Sequence, residues 1–332
     1  MKENIISFII AAVAVFILTV LIERKLIPVL KSYKVGQKIL EIGPRWHKSK
    51  EGTPIMGGLA FVSASLAIVL GFSIFFLVKK RNAELIPLAL TFVLALLNGT
   101  VGYLDDYTKL IKKQNEGFKE YQKLILQFLI AILYVLAMAK TGNLSTTLEI
   151  PFTDISWNLG WFYYIIVILF IVALVNSANF TDGVDGLLSS VGAVIALALA
   201  AVGFILKNSG LTILSGTLLG SACGFLVYNL HPARVFMGDT GSLFLGGLVT
   251  SMAFLIGNPL IILICGFVYI MEAISDIIQV GYFKITHGKR FFKMAPIHHH
   301  FEKCGWSEIK VVTVFSLTTL VLCVISYFFG IA

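Results

Sequence analysis

Long apolar runs recur along this chain more often than a soluble core could use them. Ten can be drawn, at 5–22, 57–78, 85–101, 124–139, 161–175, 187–206, 211–230, 243–256, 260–278 and 311–329. Most reach the roughly 17 to 25 residues that carry a helix across the hydrocarbon of a bilayer, where helices satisfy their own backbone. Only 13% of the residues are charged, against about 25% in a soluble domain. The expected fold is an all-α polytopic integral membrane protein with about ten transmembrane helices, organised as a single domain over 1–332. The runs at 161–175 and 243–256 are short, so they either borrow polar flanks or are broken. The first run reads as a helix and not as a cleaved leader, because Glu3 offsets Lys2 and no small-residue cleavage site follows.

Lys and Arg orient such a bundle, since cytoplasmic loops retain them. The stretches from Arg24 to Lys50, from Lys109 to Lys123, around Arg234, and from Lys284 to Lys310 hold 20 of the 26. Those stretches face the cytoplasm, which places both termini on the outer side. Lys79, Lys80 and Arg81 run against the rule. The outer loop carries LSTTLEIPFTDISW, whose β-branched residues around Pro151 predict a short hairpin within 144–157. A net charge of +8 is the bias expected beside an anionic inner leaflet and calls for no nucleic acid. Cys223, Cys265, Cys304 and Cys323 have neither disulfide nor metal spacing.

The acids are more informative. Asp105, Asp106, Asp182, Asp185, Asp239, Glu272 and Asp276 lie at or inside span ends, all on the cytoplasmic side. A charge at the centre of a membrane helix costs roughly 2.5 to 3.5 kcal/mol, and less near the interface. Packing gives no reason for so one-sided a distribution; a shared site does. NSANFTDGVDGL (176–187) spaces Asn176, Asn179, Asp182 and Asp185 by three, along one side of a helical stretch. Asn offers a donor and an acceptor to a sugar or base edge, and Asp accepts hydroxyl or amide protons or holds a metal.

Other segments extend the pattern. In GYLDDYTKL (102–110) the adjacent acids diverge by about 100° on a helix, so one can face an ion while the other faces a nucleophile or a base, and Lys109 can pair with Asp105. HPARVFMGDTGSLFLGG (231–247) begins a helix at Asp239. Free N–H groups and a positive dipole end there would suit a phosphate, with Asp239 holding its cation. MEAISDIIQV places Glu272, Asp276 and Gln279 on nearly one face, which fits a structural or a functional role. In APIHHHFEKCGW an extended chain would set His298 and His300 on one face and His299 on the other, which argues against a three-histidine zinc site. Imidazoles can instead donate to phosphates, beside Lys289, Arg290 and Lys293. HKSKEGTPIMGG enters the second run through a rigid turn, with Lys48 as an anchor and Lys50 as a substrate contact.

Taken in order, GTPIMGG, GYLDDY, NSANFTDGVDGL, NLHPARVFMGDTGS and PIHHHFE resemble the phospho-N-acetylmuramoyl-pentapeptide transferases over nearly the whole chain. The acidic motifs are shared with the wider polyprenyl-phosphate N-acetylhexosamine-1-phosphate transferase superfamily; the GTP-x-MGG and histidine segments point to the muramoyl-peptide branch. Ile55 stands where the family commonly has Thr, so position 55 offers no hydroxyl. The resemblance implies ten spans, a homodimer and one transmembrane catalytic domain in the bacterial inner membrane. It implies transfer of phospho-MurNAc-pentapeptide from UDP-MurNAc-pentapeptide to undecaprenyl phosphate, giving lipid I and UMP for peptidoglycan and the cell wall, with Mg2+. It makes Asp239 the metal ligand and Asp105, Asp106 and His298 catalytic. Asn179, Asp182, Asp185, Asn229 and Phe236 would line the uridine diphosphate pocket, Phe236 stacking on uracil, with Lys50 near the nucleotide. His299 and His300 would contact substrate, and Asn176 joins the same group through its register.

Two rivals stand beside this reading. One is a sibling that uses UDP-GlcNAc, against which the histidine segment counts. The other is an ion-coupled transporter, which also buries acids in broken helices, but the acids here crowd one face and no repeat is visible.

Overall fold

The computed structural model describes residues 1–32, 50, 52–112, 117–150, 153 and 155–330. Lys48 and Pro151 lie outside them. The helices are α1 (Lys2–Ser32), α2 (Gly58–Val78), α3 (Asn82–Lys112), α4 (Glu120–Lys140), α5 (Phe162–Thr181), α6 (Leu187–Ile205), α7 (Ser209–Asn229), α8 (Gly238–Ile256), α9 (Ile261–Cys265), α10 (Phe267–Ile285), α11 (Ile297–Lys303) and α12 (Glu308–Gly330). Between α4 and α5, β1 (Thr147–Glu149) and β2 (Ser156–Asn158) pair antiparallel, with Leu148 opposite Trp157.

Among the described residues nine helices are long and apolar enough to cross a membrane, so the protein is a multi-pass, all-α membrane protein. The run at 260–278 is not one helix as the sequence implied. It divides at Gly266 into five-residue α9 and the longer α10. Glycine weakens a helix interior, and α10 then carries Glu272, Asp276 and Gln279 along its length. The two short runs are not broken. Helix α5 continues through Asn176 and Asn179 to Thr181, and α8 starts back at Gly238.

Helices α7 and α8 are the centre of the bundle, with 78% and 89% of their apolar windows buried. Small residues make that possible. Gly216, Gly220 and Gly224 meet α1 at Phe8, Ala12 and Thr19 in turn, so the two helices run in the same direction with backbones nearly touching. A Cβ on Gly220 would lie 2.4 Å from the Ala12 carbonyl oxygen. This is the close approach that small residues allow between membrane helices.

At one end of the bundle, Arg81 pairs with Glu3 at the start of α1 and with Glu84 in α3. That gives Arg81 a local reason to sit against the general charge bias. The other end gathers the close of α3, α5 and α7 with the start of α4, α8 and α12. Because α1 begins beside Arg81 and α12 runs away from the gathered ends, both ends of the described chain share the first end.

Candidate active site

The last turns of α3 bring Asp105 and Asp106 against the first turn of α8, where Asp239 lies. The Asp106 carboxylate accepts from the backbone N–H groups of Asp239 (3.2 Å) and Thr240 (2.9 Å) and from the Thr240 hydroxyl (2.7 Å). This corrects one expectation. The start of α8 is not an open phosphate cradle, because a carboxylate from α3 already takes two of its orphan N–H groups, those of Asp239 and Thr240, and offsets its positive dipole end. Gly238 serves that contact. Its φ of +70° turns the chain into the helix, and a Cβ there would lie 2.5 Å from Asp106 Oδ2.

Asp105, Asp106 and Asp239 each offer a carboxylate oxygen within 4.8 Å of the others. Two ammonium groups hold this trio. Lys109 Nζ lies 2.6 Å from Asp105, 3.2 Å from Asp239 and 3.6 Å from Asp106. Lys123 Nζ, from α4, lies 2.6 Å from Asp239 and 3.8 Å from Asp105. Asp105 also accepts the Phe118 N–H at 2.7 Å. Three hard oxygen donors at this spacing suit a divalent cation. Asp105 and Asp239 are the better placed to take one, since both Asp106 oxygens face the start of α8.

The NSANFTDGVDGL corner adjoins this trio, and its four polar residues divide the work. Asn176 turns to α4, donating to Gln127 Oε1 at 2.8 Å and to the Val172 carbonyl. Asn179 donates to Asp239 Oδ1 (3.0 Å) and to the Ser242 hydroxyl (2.7 Å). Asp182 ends α5. Burial first, then the charges of Asp239, Asp106 and Asp185, push its carboxyl well above the ordinary aspartate range, and Lys50 pulls it down. Asp185 accepts from Lys50 Nζ (2.7 Å) and the Ala233 N–H (3.0 Å) and lies 3.0 Å from His231 Nδ1. Lys50 Nζ is also 2.7 Å from Glu308.

One side chain expected to contact substrate is engaged within the protein itself. Asn229 accepts from the Gly186 N–H (2.9 Å) and donates to the Val235 carbonyl (2.9 Å), so both ends of its carboxamide clamp the corner to the segment before α8. Phe236 is half-buried. Its N–H donates to the Pro54 carbonyl at 2.8 Å and its carbonyl accepts from Gly57 at 2.9 Å. The GTPIMGG turn is thereby tied to the start of α8.

The histidines are helical where an extended run was expected. With Pro296 at its N-cap, α11 fans successive side chains by about 100°, so each histidine finds a different partner. His298 is fully buried, with Nδ1 2.9 Å from Glu272 Oε2. Its Nε2 points at Gly183, where a Cβ would stand 2.2 Å away, and only glycine admits the ring so close to Asp182. His299 pairs with Glu302 at 2.6 Å, and His300 accepts the Lys293 N–H at 3.1 Å.

Comparison with known proteins follows the same lines. The sequence model of glycosyl transferase family 4 matches residues 88–257. A phospho-N-acetylmuramoyl-pentapeptide-transferase of Clostridium novyi is 42% identical over 302 residues, 91% of this chain and 90% of its own. That of Clostridium botulinum is 45% identical over 302 residues, again 91% and 90%. That of Caldicellulosiruptor bescii is 41% identical over 321 residues, 97% of each chain. The chain belongs to this transferase family. It is an enzyme, and its membrane helices carry the acidic corner described above.

Several residues of this transferase escaped the sequence reading. Lys123 counted only towards the charge of a loop, and its reach to Asp239 depends on α4 packing beside α8. His231 sat inside a quoted motif without a role, yet it borders Asp185. Glu308 gave no signal beyond an acid at a helix start, a common dipole partner.

Proposed function

We propose that this transferase moves phospho-MurNAc-pentapeptide from UDP-MurNAc-pentapeptide to undecaprenyl phosphate, forming lipid I and UMP in peptidoglycan synthesis. The reaction is set at the cytoplasmic face of the bacterial inner membrane, in one catalytic domain over 1–332 that works as a homodimer. The observation that carries the reading is the convergence of Asp105, Asp106 and Asp239 with Lys109 and Lys123 beside the NSANFTDGVDGL corner. A bilayer-bound phosphate must meet a soluble nucleotide sugar, so a site at the end of a helix bundle is where both can reach.

Asp239 and Asp105 are the residues to hold Mg2+, whose bound charge would neutralise the donor diphosphate and make UMP a better leaving group. Asp106 fixes the first turn of α8 and so keeps Asp239 in place. Lys109 and Lys123, which pair with carboxylates here, would supply the positive charge that meets the phosphates of the two substrates. A phosphate monoester has a second pKa near 6, so the lipid phosphate is mostly dianionic at neutral pH and gains little from a general base. Asp105 would therefore act as an orienter and not as a base, holding the Lys109 ammonium towards the attacking phosphate for a single in-line displacement. Asn179, Asp182, Asp185, Phe236 and Lys50 form the donor side, with Asn176 and Asn229 bracing it. His298, oriented by Glu272, acts from beside Gly183, and His299 and His300 flank the sugar-peptide.

The test is turnover in detergent with two donors. UMP release and lipid I formation are expected with UDP-MurNAc-pentapeptide, lost with chelator and restored by Mg2+. Turnover of UDP-GlcNAc instead would assign the sibling activity. Substrate movement only across a sealed membrane, with no UMP, would assign transport.

A further inference from the structure

Glu308 opens α12 and passes for an ordinary acid at a helix start. Its side chain is only 9% exposed, and it meets groups from three other segments. Glu308 Oε2 lies 2.7 Å from Lys50 Nζ, accepts the Asp185 N–H at 3.1 Å and stands 3.7 Å from His231 Nδ1. Asp185 Oδ1 holds the same Lys50 ammonium from another direction, at 2.7 Å.

The physical effect follows from the flexibility of lysine. Its four-carbon stem has many rotamers, which one ion pair at a rim restrains poorly. Two mostly buried carboxylates fix the ammonium at one point. Glu308 also acts on the turn itself. Side chains accept the N–H groups of two successive residues: Asp185 by Glu308 of α12, and Gly186 by Asn229 of α7. A turn pinned from two helices holds the Asp185 carboxylate ready for ligand without further ordering cost.

We propose that Glu308 is a positioning residue for the donor nucleotide. It holds the Lys50 ammonium and the Asp185 backbone in one geometry and thereby sets donor affinity, while taking no part in phosphoryl transfer. This rests on the reading of Lys50 and Asp185 as donor contacts.

Glu308→Gln keeps the shape and an acceptor for the Asp185 N–H but removes the charge that holds Lys50. The KM for UDP-MurNAc-pentapeptide is expected to rise about tenfold or more, as for the loss of one partner of a buried charge pair. The kcat at saturating donor should stay within about threefold of wild type, and the KM for the lipid acceptor should not move. Glu308→Asp, with the charge on a shorter arm, should recover part of the loss. Combined with Lys50→Ala, Glu308→Gln should add no further loss to that of Lys50→Ala alone. An unchanged donor KM in Glu308→Gln overturns the proposal, as does a fall in kcat with both KM values unaltered. If Glu308→Gln fails to fold, the donor KM of Glu308→Asp decides: above wild type supports the role, equal to it overturns the role. Lys50→Ala separates the two levels. If it leaves donor KM unchanged, Lys50 leaves the donor pocket; if it raises donor KM and Glu308→Gln does not, only the role of Glu308 falls.

Discussion

Asp182 shows how a single side chain reports on the site. Burial disfavours its ionised form most, and the charges of three other carboxylates, Asp239, Asp106 and Asp185, add to that. Its folded-state pKa is therefore raised above the unfolded value of about 3.9. A group that binds its proton more tightly when folded subtracts stability as pH climbs from the unfolded pKa towards the folded one, and the loss persists above both. Asp182→Asn should therefore raise the thermal midpoint of metal-free protein at neutral and alkaline pH, by about 2 °C or more, with the difference vanishing near pH 3 to 4. Thermal unfolding with chelator across that range checks it; a lower midpoint for Asp182→Asn at neutral pH would contradict the assigned repulsion. Individual acids were legible in the sequence because a carboxylate in a membrane helix is expensive and invites a reason. Their division of labour was not. That Asp106 caps α8, or that Asn229 spends both ends of its carboxamide inside the protein, depends on which helix ends meet.

At the scale of elements, apolar length announced most helices, while breaks and short helices stayed hidden. Residues 260–278 read as one span because their composition is apolar, although Gly266 ends α9 there. The histidine segment read as extended because a seven-residue helix after proline has too few turns to show a period. The contact of α1 with α7 also lay beyond hydropathy, since it depends on glycines spaced by four. Gly220→Ala would place a Cβ 2.4 Å from the Ala12 carbonyl oxygen, and overpacking of this kind costs about 1 to 3 kcal/mol. The variant should unfold at a clearly lower temperature in detergent. Gly71→Ala, where nothing lies within 4 Å of the new Cβ, is the control and should lose nothing. Equal midpoints for the two variants would mean that α1 and α7 are not in such close contact.

For the whole molecule, the orientation proposed above, with the acidic corner in the cytoplasm, rests on the charge count and on the placement of the helix ends. Cys304 offers a native probe, because it is exposed beside α11 while Cys265 and Cys323 are buried. A membrane-impermeant maleimide should label Cys304 in inside-out vesicles and leave it unlabelled in right-side-out ones. Labelling from the outside would invert the topology and separate the site from its soluble donor. The gathering of distant acids at one bundle end was legible as a one-sided excess; Lys109 and Lys123 threading between them was not, because lysines near a cytoplasmic end are also what topology alone would place there. The most direct test of the account is a Mg2+ titration of UMP release by wild type and by Asp239→Asn. Metal-dependent turnover in wild type is predicted, with turnover at least a hundredfold lower in the variant at every Mg2+ concentration although its thermal unfolding shows a folded chain. Turnover by Asp239→Asn close to wild type, with the same metal dependence, would contradict the placement of the cation at these carboxylates.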